Sequence, residues 1–79
     1  MKSFWNHRLL AHQIGDNIYF KVHEVHYSNK KPTLYSAEPV IIDGEDIKSI
    51  KWTLKKMKKC LKEPILWAGE RFPEEYKIT

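Results

Sequence analysis

Between residues 44 and 62 the chain reads GEDIKSIKWTLKKMKKCLK, a pattern that only a helix can organise. At about 100° per residue, with Ile47 as origin, Ile50, Leu54, Met57 and Leu61 fall at roughly 300°, 340°, 280° and 320°. The resulting apolar stripe is about 80° wide, close to a coiled-coil seam and narrower than that of an ordinary surface helix. The seven lysines from Lys48 to Lys62 occupy roughly 20° to 180° of the same wheel, and Trp52 lies among them near 140°. This segment carries +7, whereas the rest of the chain holds seven basic and ten acidic residues, so the formal +4 is local. Asp43 is expected to cap the helix, with Glu45 and Asp46 in its first turn against the positive end of the dipole. Pro64 ends it, because the residue before a proline is driven out of the α region.

Seventy-nine residues allow one small domain, 1–79, that buries only about 60% of the surface its unfolded chain exposes. Apolar residues at 42% and charged residues at 30% place it with globular rather than disordered chains. The single Cys60 excludes an internal disulfide framework and reads as a small packed hydrophobe. No stretch has the features of a signal peptide or the ~20 apolar residues of a membrane span, so a cytoplasmic protein is expected.

Ahead of the helix the residues alternate as strands. Residues 4–14 form a first strand, Gly15-Asp16-Asn17 a turn, and 18–27, IYFKVHEVHY, the clearest strand of the chain. Period two places Ile18, Phe20, Val22, Glu24 and His26 on the face expected to meet the core. Tyr19, Lys21, His23, Val25 and Tyr27 take the other face. After a polar turn at 28–32, residues 33–36 and 39–42 read as a third strand interrupted at Pro39. The expected fold is α+β: a three-stranded antiparallel meander with one C-terminal amphipathic helix packed on one face. Residues 68–79 are read as an extended or partly flexible acidic tail.

Three constellations bear on function. The outer sheet face, with Tyr19, His23, Val25 and Tyr27, presents the aromatic character of interface cores, set against the plainer reading that these rings cover a thin core from its edges. Lys48, Lys51, Lys55 and Lys59 with Trp52 supply phosphate contacts and a stacking surface for nucleic acid, set against a solvated face neutralised by the acidic tail. No arginine stands among them. His12, Glu24 and His26 on one face suggest a polar cluster for metal binding or acid/base work, although paired polar residues commonly occupy half-exposed sheets. Neither a catalytic signature nor a cofactor or metal site is expected.

Taken together, Trp5-Asn6-His7-Arg8, then Val22-His23-Glu24-Val25-His26-Tyr27, Glu38-Pro39-Val40, the helix, and Pro64-Ile65-Leu66 resemble a family of short, uncharacterised bacterial and phage proteins. The order of elements loosely resembles the partial RNase H-like domain of HicB-type antitoxins, and that likeness implies topology only. The expected role is that of a small non-catalytic accessory protein acting through protein–protein interaction or self-association, in a phage or bacterial conflict system by resemblance. Nucleic-acid binding through the lysine face is the alternative.

Overall fold

The computed structural model describes residues 3–78. Two long strands dominate it. β1 (Ser3–Ile14) and β2 (Asn17–Ser28) pair antiparallel without interruption, from Ser3 opposite Ser28 to Ile14 opposite Asn17. Gly15 and Asp16 form the two-residue connection, and Gly15 takes φ 62°, where a glycine has no Cβ to clash. The second hairpin is tighter than the five-residue turn expected at 28–32. Asn29 (φ 52°) and Lys30 (φ 68°) are both left-handed, as a type I′ turn requires, and β3 (Lys31–Tyr35) begins immediately after.

β3 ends at Tyr35, so the expected continuation at 39–42 is not a strand. Residues 36–46 instead run irregularly, tied to β2 by Ser36 N donating to Glu24 O (2.9 Å) and Val40 N to Val22 O (2.8 Å). Pro32 lies opposite Tyr27 on this outer strand, where a missing N–H costs no ladder bond, and the register slips between His26 and Tyr27.

A fourth strand corrects the expected meander. β4 (Leu66–Trp67) pairs parallel to the far edge of β1, Leu10 with Leu66 and Ala11 with Trp67, giving a mixed sheet in the order β3-β2-β1-β4. The helix makes this possible by carrying the chain back alongside β1 before Pro64. Past β4 the chain is tied back to the body: Trp67 N donates to Glu74 O (2.8 Å), Tyr76 N to Ile65 O (2.7 Å), and Gly69 N to the Tyr35 hydroxyl (2.7 Å).

The sheet is buried on the side opposite to that expected. Register places Phe4, Asn6, Arg8, Leu10 and His12 of β1 on one face with Tyr19, His23, Val25 and Tyr27 of β2. Leu10 and Val25 are completely buried there, His23 is 1% exposed, and Tyr27 and Leu66 complete the cluster. The C-terminal segment is the cause, since Ala68 and Phe72 fold over this face and Phe72 meets Tyr35 at a ring separation of 4.8 Å. The segment also wraps the edge of β1 to the other face, where Tyr76 packs on Phe20 (5.5 Å) and Trp67 (5.0 Å) above the buried Ala11. It therefore covers both faces at one end of the sheet.

Candidate interaction surface

α1 (Ile47–Lys58) starts three residues later than the sequence suggests, and its cap is Asp46 rather than Asp43. The Asp46 carboxylate accepts from Ser49 N at 2.8 Å, and this hydrogen bond holds its pKa below the usual aspartate value. Glu45 and Asp46 thus precede the first turn instead of lying within it. Gly44 lets the incoming chain pass close, for a Cβ there would stand 2.8 Å from Ser49 Cβ. The helix tightens into a 3-10 turn over Lys59–Lys62 before Pro64.

α1 does not cover the sheet, and none of its residues is buried. It touches the body through one side only, near its end. Thr53, Lys56 and Met57 are half-buried there, and Cys60 of the following turn is buried. Burial raises the Cys60 thiol pKa, opposed by the nearby charge of Arg8, which leaves a packed and unreactive thiol. The Lys56 ammonium sits 3.5 Å from the centre of the Trp5 ring and 4.9 Å from that of Trp52, a cation–π latch between helix and strand.

The side this latch leaves open is apolar. Ile47 is 69% exposed, Leu54 47% and Leu61 68%. Their seven-residue spacing draws one line along the helix, the solvent-facing edge of the stripe, whose other edge at Ile50 and Met57 is half-buried. At its lower end Leu61 joins a groove with Leu9, Pro64, Ile65, Tyr76 and Ile78. The broad lysine face lies beside the stripe, and Lys48, Lys51, Lys55 and Lys59 are exposed on it with Trp52. Among the described residues Arg71 pairs with Glu74 (3.7 Å) and the His26 ring lies 3.8 Å from the Glu24 carboxylate, so no acid of the tail is ion-paired with a lysine of the helix.

The sheet residues expected to meet a partner lie otherwise. His23, Val25 and Tyr27 belong to the chain's own core, and only Tyr19 of that set is exposed. The expected trio of His12, Glu24 and His26 is divided between the faces: Glu24 and His26 pair on one, while His12 lies on the other against His23. Period two holds within β2, but the antiparallel register puts even positions of β1 with odd positions of β2.

The resulting histidine pair is a hydrogen-bonded unit. His23 Nδ1 lies 2.9 Å from the Ser36 carbonyl and so donates its proton there, which leaves Nε2 to accept from His12 Nε2–H at 2.9 Å. Burial lowers the pKa of both rings; the Ser36 carbonyl opposes this at His23, and at His12 the neighbouring His23 adds to it. Two neutral rings satisfy each other, whereas a proton on His23 Nε2 would set donor against donor. Among the described residues no group of three or more His, Cys, Asp or Glu side chains is arranged to hold a metal ion.

Arg8, part of the Trp5-Asn6-His7-Arg8 motif, has a structural role that the motif does not announce. Its guanidinium is buried and donates to the Tyr27 hydroxyl (2.6 Å) and the Pro64 carbonyl (2.7 Å), tying β1 to the segment that follows the helix. No family model, curated protein or solved structure matches the chain. No helix among the described residues is long and apolar enough to cross a membrane.

Proposed function

We propose that this chain is a small non-catalytic binding protein that acts through protein–protein contact, with the open apolar line of α1 as its docking element. The observation that carries this reading is a twelve-residue helix with no buried residue that presents Ile47 and Leu54 to solvent, in line with Leu61 just beyond its end. A free helix of that length is marginal in water, and packing of an apolar face is the usual source of its stability. The occupant is a protein partner or a second copy of the chain, in the cytoplasm, and the resemblance to short phage and bacterial proteins supports a setting in conflict between the two. This reading transfers the interaction surface from the sheet to the helix.

The test compares affinity capture from host lysate by the wild-type chain, a Leu54→Glu variant and a Lys51→Glu/Lys55→Glu/Lys59→Glu variant, with and without nuclease. Loss of captured protein with the first variant alone supports the reading. Identical capture by all three would refute it.

A second reading has its own support: no ion pair within the described chain neutralises the lysines of α1, and Trp52 is 59% exposed beside them. Lys48, Lys51, Lys55 and Lys59 would contact phosphates while Trp52 stacks on a base. Binding to a mixed single-stranded oligonucleotide would then weaken steeply with salt and vanish in the triple lysine variant. Absent or salt-independent binding rules this reading out.

A further inference from the structure

We infer that the occupant of the α1 surface is a second copy of this chain, packed antiparallel so that Leu54 meets Leu54 on a two-fold axis. The inference rests on the docking role proposed for α1 and names its partner. Leu54 lies midway between Ile47 and Leu61, so a two-fold axis through it brings Ile47 of each copy against Leu61 of the other. Such a contact is isologous, and the same patch serves both copies.

Charge at the ends of the helix selects the antiparallel direction. Asp43, Glu45 and Asp46 stand before the first turn, whereas Lys58, Lys59 and Lys62 stand at the end, with Glu63 the only acid among residues 58–63. The two-fold axis sets Asp46 of one copy opposite Lys62 of the other and the two helix dipoles in opposition, while Glu45 falls opposite Glu63 beside Lys59 and Lys62. A parallel pair would place acid beside acid at one end and lysine beside lysine at the other. Within one chain these acids and lysines form no ion pair among the described residues.

The size of the seam sets its strength. Three aliphatic side chains per copy cover less than the ~800 Å² per partner of a standard interface. Lys51 and Lys58 flank the seam and repel their counterparts across it. A contact of that size belongs with weak, transient interfaces. Contact between the ends of the helices and the groove at Ile65 and Ile78 extends the buried surface.

Sedimentation equilibrium of the whole chain from about 1 µM to about 500 µM, for the wild type and Leu54→Glu, tests the association. Leu54→Cys and Lys55→Cys, oxidised at the upper concentration, test its geometry; Lys55 lies off the seam, and the buried Cys60 serves as the internal control. Expected are a monomer–dimer equilibrium in the wild type, weakening by about a hundredfold in Leu54→Glu, and a covalent dimer from Leu54→Cys alone. A wild type that stays monomeric throughout overturns the second-copy inference and leaves the docking reading to the capture experiment above. Dimers that Leu54→Glu leaves intact overturn both, since association then uses another surface. Loss of dimer in Leu54→Glu without cross-linking of Leu54→Cys overturns the antiparallel two-fold arrangement.

Discussion

Arg8 joins three parts of the chain through one planar group, reaching from β1 to the Tyr27 hydroxyl on β2 and to the Pro64 carbonyl beyond the helix. A lysine cannot reproduce that fork, because its three donors radiate from one point. Arg8→Lys is therefore expected to lower unfolding stability by about 1–3 kcal/mol, measured as a shift in the urea midpoint with an unchanged slope. An unchanged midpoint would mean that neither hydrogen bond contributes. The histidines make a second prediction. In the fold His7, His12 and His23 all have pKa values below the ordinary histidine value of 6.5, with burial the first cause in each and Lys56 adding to it at His7. Each is held neutral in the fold, so the unfolded chain binds more protons below pH 6.5 and stability falls on acidification. The contribution is complete above pH 6.5 and is lost as pH falls through the folded values. The melting temperature should drop between pH 7.5 and 5.5, a range where ordinary carboxylates stay ionised, and His12→Ala should flatten the slope; a melting temperature constant across that range contradicts the assignment.

At the scale of elements, the capping of α1 is local and testable. Asp46→Ala removes the acceptor for Ser49 N, so helical circular dichroism should fall while the signal of the hairpin persists. The same substitution at Asp43 should leave it unchanged, because the first helical residue is Ile47. Much of this element was readable in the sequence: the stripe, the lysine face and the stop at Pro64 are all present, as are β1, β2 and the turn at Gly15. The cap falls at Asp46 rather than Asp43 because both aspartates suit the position and only the path of the chain past Gly44 selects one. β4 was hidden for another reason. A two-residue parallel pairing has no periodicity, and Leu66-Trp67 becomes a strand only because the edge of β1 is open at Leu10 and Ala11. The face of the sheet was misread for the same reason, since Phe72 and Ala68, which bury Val25 and Tyr27, are distant in sequence from both.

At the scale of the whole molecule, the distribution of apolar surface is the central fact. Among the described residues the buried apolar ones are Leu10, Ala11, Val25, Tyr27, Cys60 and Leu66, contributed by the sheet, the turn after the helix and the C-terminal segment. α1 contributes none. The chain thus consists of a hairpin body closed at its own edge and a helix held to that body near one end by Lys56, Met57 and Cys60. The sequence signals both parts yet cannot say that they fail to cover one another, because the narrowness of a stripe limits what it can cover without showing which surface it meets. Hydrogen exchange measured across dilution reads this division most directly. At low micromolar concentration the amides of Ile47–Lys58 should exchange far faster than those paired between β1 and β2, and they should gain protection as concentration rises and the seam is filled. Helix amides protected as strongly as those of the hairpin at the lowest concentration, with no change on dilution, would contradict the account.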